Sequence, residues 1–498
     1  MEGRSKPKKC ESFRNSRNVP WKSCSGTTKK GNYKKPMMSE SSAERKDTLI
    51  GEVSERYIVM SSTNPMPITL ERILSTKNIN KAIVRVERNK GAAGIDGMRT
   101  DEIRTYCKEH PYEISRSVLN GTYTPQPILR VYIPKDNGDQ RPLGIPTVID
   151  RVVQQAVAQV LSEEWEKEFS ENSFGFRPGR GCHDAIQRVS DYLNQGKIWI
   201  VDLDLSKFFD TVNHSKLLQI LSDKIKDGRV ISLIHKFLRA PVCENGKVGN
   251  KNTIGTPQGG CISPVLANIL LNELDQMLDK EGICFSRYAD DMMILCNSKY
   301  AAERVLKRVT MFVEKTLFLK VNQEKTKIGK ASPEMKFLGF GFTNEADDKN
   351  WPWRPKDGKW FSVVHQKAIK KLKDAAKKTL NRKGSNGIER VAVALANKLR
   401  GWVNYFQGGI SDPLRKTLDG WLRRHIRQLY WKTWKTMENR IKWFRKLWPT
   451  WGAPPTREDY AYGSNRYWRM SKTHQIHIAL SNRTLADLGW SWISLFDY

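Results

Sequence analysis

The stretch Phe285-Ser286-Arg287-Tyr288-Ala289-Asp290-Asp291-Met292-Met293-Ile294-Leu295 sets two adjacent aspartates between short apolar runs. Runs of this length read as strands, and the polar pair sits where a hairpin turns. Two carboxylates at a tight tip repel each other, and a cation between them removes that cost. Mg²⁺ suits such a place because it takes oxygen ligands and leaves positions open for phosphates and water. For a bare Asp-Asp pair an exposed turn is the commoner explanation, so the cation reading needs a partner carboxylate.

That partner lies upstream. Ile198-Trp199-Ile200-Val201-Asp202-Leu203-Asp204-Leu205 alternates as a strand, with Asp202 and Asp204 on one face and Val201 and Leu203 on the other. Ser206-Lys207-Phe208-Phe209-Asp210 then leads into a helical pattern at Leu217, Leu218, Leu221 and Ile225. An acidic residue at a strand end plus an acidic pair on a hairpin predicts a three-carboxylate metal cluster. Two-metal nucleotidyl transfer requires such a cluster: one ion activates a 3′-hydroxyl and the other holds the triphosphate.

Tyr288-Ala289-Asp290-Asp291, Asp204 followed by Phe209-Asp210, and Thr256-Pro257-Gln258-Gly259-Gly260 together resemble the reverse transcriptase signature. Within it the chain is most similar to bacterial group II intron reverse transcriptase/maturases, from about Pro67 onward. The resemblance implies an α+β fold. A right-hand polymerase, with fingers and a palm on an antiparallel sheet, would span 64–345. An all-α thumb or maturase domain would follow over 346–450, and a basic, aromatic DNA-binding-like segment over 451–498. It implies Asp204, Asp290 and Asp291 as catalytic residues, with Leu205 joining them around two Mg²⁺ ions. The implied activity is RNA-directed DNA synthesis on intron RNA, with binding of that RNA to assist splicing. The implied partners are group II intron RNA, an RNA template, a DNA primer or target and dNTPs, in a bacterial cytoplasm near the nucleoid; a homodimer is allowed. Two other readings stand beside it: a host-adapted reverse transcriptase used in DNA repair or phage defence, and an RNA-binding maturase that no longer polymerises.

The whole-chain balance agrees with a polyanionic partner. A net charge of +32 over 498 residues points to nucleic acid. No apolar run reaches the roughly 18 residues of a membrane span, and no apolar stretch of signal-peptide type follows the basic N-terminus. The eight cysteines are scattered without Cys-x-x-Cys, which suggests a reducing compartment and no structural zinc. None follows Cys296. The paired cysteines of the endonuclease domain found in many group II relatives are thus missing, and the chain resembles the compact class that accompanies group IIC introns. Residues 1–63 are basic, Ser/Asn-rich and poor in apolar side chains, which predicts a disordered tail.

Further motifs fall in order along the chain. Asn89-Lys90-Gly91-Ala92-Ala93-Gly94 is a Gly-rich loop, which the resemblance places in the fingers extension with Lys90 near template. Arg130–Lys135 and Gln140–Pro146 predict a hairpin turned at Asp136-Asn137-Gly138-Asp139, with Lys135 and Arg141 placed for a triphosphate. Val152–Phe169 reads as a helix. It ends before Ser173-Phe174-Gly175-Phe176-Arg177-Pro178-Gly179-Arg180, where Arg177 and Arg180 suit a nucleic-acid strand. The resemblance makes Phe209 the residue that crowds a sugar 2′ position, although one of Phe208 and Phe209 should be core. Gln258 is the expected nucleotide contact, Ser263 an N-cap with Pro264 behind it, and Lys325 or Lys327 a neighbour of the leaving pyrophosphate. Phe337-Leu338-Gly339, inside a hairpin over 336–342, resembles the grip on a primer 3′-end. From Trp351 onward the chain carries 13 of its 16 tryptophans, with basic residues about three times the acidic ones. Helices are predicted over 363–380, 387–406 and 412–434, with Trp402 and Leu422 in the core. Arg400, Arg423, Arg424 and Arg427 are the candidate RNA contacts. His474-Gln475-Ile476-His477 lacks a cysteine or acidic partner nearby and predicts no metal site.

Overall fold

A computed structural model describes residues 67–134, 138, 140–257, 259–345, 358–381, 387–449, 453 and 467–496. The 1–63 tail, Lys135, Gln258 and most of the 136–139 turn lie outside the described residues. Ten strands follow in chain order: β1 Ile128–Pro134, β2 Gln140–Ile145, β3 Trp199–Leu203, β4 Val242–Glu244, β5 Lys247–Val248, β6 Cys284–Tyr288, β7 Asp291–Cys296, β8 Lys327–Lys330, β9 Phe340–Thr343 and β10 Phe361–Val364. They form three sheets, ordered β2-β1-β4-β5, β6-β7-β3-β8 and β10-β9. The predicted β1–β2 hairpin is present, antiparallel with Pro134 opposite Gln140.

The β6-β7-β3-β8 sheet divides two cores, and the period of two in its sequence does the dividing. Val201, Leu203, Met292 and Ile294 belong to a core shared with the Val148–Trp165 and Ser263–Lys280 helices. Ile200, Met293 and Leu295 point the other way, into a core shared with the Cys182–Asn194 helix and the C-terminal helices. Asp202 and Asp204 fall on this second face.

Arg287 fastens the aspartate hairpin from within. Its side chain is 1% exposed and pairs with the fully buried Asp275 of the Ser263–Lys280 helix. Nε lies 2.8 and 3.0 Å from the two carboxylate oxygens. Nη1 donates to Asn268 Oδ1 (3.0 Å) and the Ala289 carbonyl (2.9 Å), and Nη2 to Ser173 Oγ (2.8 Å). Burial pushes the Asp275 carboxyl up, and the guanidinium opposes it. Gly175 seats the neighbouring loop: a Cβ there would meet the Ala289 nitrogen at 2.3 Å.

The C-terminal region is helical over Gln366–Thr379, Ile388–Phe406, Asp412–Thr433 and Met437–Leu447. The first helix starts later than its periodicity predicts, because Val363 and Val364 pair as β10 with β9. Helix Val148–Trp165 starts earlier than predicted, capped by Thr147 on the Asp150 nitrogen. Ser263 is not the cap of its helix: Ile262 holds that position, and the Ser263 hydroxyl donates to the Pro257 carbonyl (2.9 Å) and accepts from Thr256 (2.7 Å). Residues 467–496 pack into the same core as the long helices through Met470, Leu480, Leu485, Trp490 and Ile493. Trp490 Nε1 donates to the Tyr430 hydroxyl (2.9 Å), and Asp419 accepts from the Ile493 nitrogen (2.7 Å). Among the described residues, no helix is long and apolar enough to cross a membrane.

Removing one member of a buried pair strands the other's charge. Arg287→Ala should lower unfolding free energy by about 3–5 kcal/mol, whereas the paired change Arg287→Met with Asp275→Leu should cost markedly less. Urea unfolding of both proteins tests this; equal losses would mean that the charge pairing is not what holds the hairpin.

Candidate active site

Strand register builds the site. Leu203 pairs with Met292, so Asp204, one step beyond the ladder, stands opposite Asp291. Asp202 pairs with Lys327, which sets Asp204 opposite Lys325; Lys325 Nζ lies 3.6 Å from Asp204 Oδ2. Tyr288 pairs with Asp291 across the two-residue loop, where Ala289 takes a φ of 60°. A row therefore runs Tyr288, Asp291, Asp204, Lys325 across the sheet, with exposed Asp290 at the tip of the turn. The backbone of Asp204 is held by the 320–326 segment: its nitrogen donates to Thr326 Oγ1 (3.2 Å) and its carbonyl accepts from Asn322 (2.8 Å).

The carboxylates repel one another. Burial, then the charges of Asp291 and Asp204, push Asp202 up to about 6, with Lys327 and Lys336 opposing. Asp291 is raised first by chain that excludes water from its carboxyl and then by Asp290. Among the described residues, no three His, Cys, Asp or Glu side chains by themselves form a metal-holding group. The three-carboxylate cluster expected from sequence is thus not drawn together here by its side chains alone. Its donors still fit a hard divalent cation: all are oxygens, and their mutual repulsion is what a cation relieves. Leu205 can contribute only its main-chain carbonyl, since its side chain is buried and the bonds flanking its bridge to Val321 run to Asp204 and Lys320.

A cavity of about 230 Å³ is lined by Arg130, Pro142, Gly144, Phe209, Gly255 and Thr256 among others. Phe208 is the core residue of its pair at 3% exposure, and Phe209 packs edge-on against it (5.1 Å) and faces the cavity. The Thr256 nitrogen donates to the Phe209 carbonyl (2.7 Å). Gly259 sits at φ 119°, and a Cβ there would strike the Gly144 carbonyl of β2 at 2.2 Å. Sequence reasoning passed over His214, whose Nε2 lies 2.6 Å from the Gly255 carbonyl and pins this loop; burial lowers its basicity. Arg141 is exposed on β2.

The expected strand contacts separate into two groups. Lys90 caps the Thr76–Asn89 helix in left-handed conformation and is exposed. Its Gly-rich loop is held by Arg151, which sequence reasoning missed and which donates to the Ala92 and Pro146 carbonyls. Arg177 must be reassigned. Its side chain is 2% exposed, and it donates to the Ser170 (2.6 Å) and Ser173 (2.8 Å) carbonyls and to Glu166 (2.7 Å). No guanidinium edge is left for a phosphate. Arg180 is tied to Glu171 (2.7 Å), and Phe176, 53% exposed at φ 59°, is the aromatic of this stretch that faces outward. Leu338 (φ 50°) and Gly339 (φ 90°) form a tight turn closed by two Phe337–Phe340 backbone bonds of 2.9 and 2.8 Å. Phe337 itself is core, so only the Leu338–Gly339 backbone and the Leu338 side chain can meet a primer.

Three of the four candidate RNA-binding arginines lie against the 467–496 segment, Arg427 buried and Arg423 and Arg424 partly exposed. Arg427 is buried, donating to the Leu480 carbonyl (2.9 Å) and Asn482 (3.2 Å). Arg424 lies 3.4 Å over the Trp468 ring, and Arg423 pairs with Asp419 (3.8 Å) and covers Trp492 (5.3 Å). They clamp the 467–496 segment onto the Asp412–Thr433 helix. Asp419, Arg423 and Arg427 recur every four residues, a line of alternating use that the charge count conceals. Arg400 is exposed beside Phe496. The exposed cations here include Lys367, Lys370, Lys377 and Lys378 on one helix, and Lys442 and Lys446 beside half-exposed Trp443. His477 lies against Arg427 (3.5 Å).

Asp202→Asn should stabilise the metal-free protein at pH 7.5 by about 1–2 kcal/mol, after allowing for partial exposure. Its folded value of about 6 lies above the ordinary 3.8, so the ionised form opposes folding. That cost is complete above pH 6 and fades as pH falls toward 4. Urea unfolding at pH 7.5 and 4.5 should show a clearly larger gain at the higher pH.

Comparison with known proteins places these elements. A family model described as reverse transcriptase (RNA-dependent DNA polymerase) matches residues 133–342, and one described as the group II intron maturase-specific domain matches 369–448. Protein YkfC of Escherichia coli K12 is 32% identical over 336 residues, 58% of this chain and 87% of that one. The group II intron-encoded protein LtrA of Lactococcus lactis is 31% identical over 360 residues, 55% of this chain and 60% of LtrA. A solved structure titled "Partial Cas6-RT-Cas1--Cas2 complex" matches at 24% identity and a TM-score of 0.33, over 49% of this chain and 42% of that one, too low to carry an argument. The chain belongs to the reverse transcriptases that carry a group II intron maturase domain.

Proposed function

We propose that this protein copies group II intron RNA into cDNA from a DNA primer and binds the same RNA to assist its splicing. The observation that carries the reading is the row of Asp291, Asp204 and Lys325 across the sheet, with exposed Asp290 at the tip of the adjoining turn. Asp204, Asp290, Asp291 and the Leu205 carbonyl are the groups that would hold Mg²⁺. Bound there, two ions would ease loss of the 3′-hydroxyl proton and stabilise the triphosphate leaving group. The chain does the positioning. Backbone bonds to Asn322 and Thr326 hold Asp204 at the end of β3, and Arg287 holds the turn that carries Asp290 and Asp291. Phe209 stands where a sugar enters, and β2 brings Arg141 toward the phosphates. Lys325 balances Asp204 in the metal-free protein and is placed to turn to pyrophosphate once a cation takes that carboxylate. RNA contact is reassigned from Arg423, Arg424 and Arg427 to the outward lysines of the Gln366–Thr379 and Met437–Leu447 helices, with Arg400 retained.

Asp204→Asn should cut primer extension on an RNA template at least a hundredfold, about 3 kcal/mol of transition-state stabilisation, while leaving RNA affinity unchanged. Extension above a tenth of wild type would remove Asp204 from the chemistry. Replacing Lys367, Lys370, Lys377 and Lys378 by Gln should weaken binding of structured intron RNA and flatten its salt dependence, by roughly one unit of log–log slope for each of these lysines that neutralises a phosphate. Arg423→Met should instead lower the melting temperature. If the lysine variant keeps wild-type affinity and slope, this helix face is merely solvated.

A further inference from the structure

The turn at Leu338–Gly339 is fastened to the rest of the protein by the last residues of the Ile388–Phe406 helix. The Tyr405 hydroxyl donates to the Leu338 carbonyl at 2.8 Å. The Tyr405 carbonyl is held 2.7 Å from His183 Nε2, on the Cys182–Asn194 helix. Phe406 lies under Gly339, where a Cβ would meet its ring at 3.1 Å. Phe340 closes the cluster, 5.8 Å from the Tyr405 ring and 5.0 Å from the Phe406 ring. On the same Cys182–Asn194 helix the Ala185 carbonyl accepts from Ser286 Oγ, on the first strand of the aspartate hairpin (2.9 Å).

We propose that Tyr405 is a positioning residue that sets the Leu338–Gly339 turn, and with it a primer 3′-end, relative to the Cys182–Asn194 helix that supports the aspartate hairpin, through its hydroxyl bond to the Leu338 carbonyl and the contact of its own carbonyl with His183. The inference rests on the reading of this turn as a primer contact. A core role alone would need only the ring of Tyr405, which packs as Phe would. The hydroxyl adds direction: it aims one carbonyl in a turn whose two central residues both have positive φ, and it joins two segments 67 residues apart in sequence. The helix that supplies Tyr405 also supplies exposed Arg400 and follows the lysine-lined Gln366–Thr379 helix. Movement of the helical region on nucleic acid would therefore be felt at the turn.

The test uses the full-length protein, a DNA primer annealed to an RNA template, and Mg²⁺ with dNTPs. Tyr405→Phe keeps the ring and removes only the hydroxyl, so its melting temperature should stay within about 2 °C of wild type. Its KM for primer–template should rise roughly fivefold, the effect of one neutral hydrogen bond, with the KM for dNTP unchanged. Gly339→Ala tests the underlying reading, because it alters the turn directly. If Gly339→Ala leaves the primer KM at the wild-type value, the turn is not a primer contact and the proposal falls with that reading. If Gly339→Ala raises the primer KM while folded Tyr405→Phe does not, the turn holds the primer without help from the Tyr405 hydroxyl, and the proposal alone is overturned.

Discussion

The buried pair between Arg287 and Asp275 is the interaction on which the site depends. A two-residue loop carrying consecutive aspartates is electrostatically unfavourable, and its own backbone bonds do little to aim it. Arg287, one residue before Tyr288, reaches back through the protein to Asp275 and Asn268 on one helix, to Ser173 on the neighbouring loop, and to the Ala289 carbonyl inside the turn itself. Its full set of donors is consumed. A desolvated ion pair of this kind adds little net stability against an apolar substitute, but it tolerates no misplacement of its members. The fold thereby exchanges stability for a fixed orientation of the aspartate turn.

The sheet that carries the aspartates has no solvent-facing side over most of its area. One face belongs to the core of the polymerase-like region and the other to the core of the helical region. The carboxylates escape burial because they lie at strand ends, where the second core stops. This placement couples the site to the C-terminal helices without a separate linker: the turn at Leu338–Gly339, the ring of Phe406 and the hydroxyl of Tyr405 occupy the same seam. Asp202, one step further in, shows what the seam costs, since burial and two neighbouring carboxylates raise its carboxyl to about 6.

Positive charge in this chain has two uses that composition cannot separate. Arg177, Arg423, Arg424 and Arg427 are internal fasteners, each set against main-chain oxygens, a carboxylate or an indole face. The lysines of the Gln366–Thr379 helix remain in water. The division follows side-chain chemistry. A planar guanidinium with five donors can satisfy several buried carbonyls at once, whereas a compact ammonium is strongly hydrated and costly to bury. In a basic protein with few acids, arginine is the cation that the interior can accept.

Local periodicity was enough to predict the aspartate hairpin, the alternation that sets Asp202 and Asp204 on one face, the β1–β2 hairpin and the three long C-terminal helices. Each of these follows from the fixed repeat of a strand or helix over a few residues. The reverse transcriptase motifs of the palm were legible for the same reason, since their residues stand within short stretches whose geometry is local. Tertiary structure decided what no local repeat contains. The pairing of Lys325 with Asp204 depends on a register across strands more than a hundred residues apart. The inward turn of Arg427 depends on carbonyls of the 467–496 segment, and the reassignment of Ser263 from cap to loop fastener depends on Thr256 and Pro257 folding back on the helix start. Backbone geometry is written residue by residue, but whether a polar group meets water, a partner or a substrate is settled only when distant chain arrives to cover it.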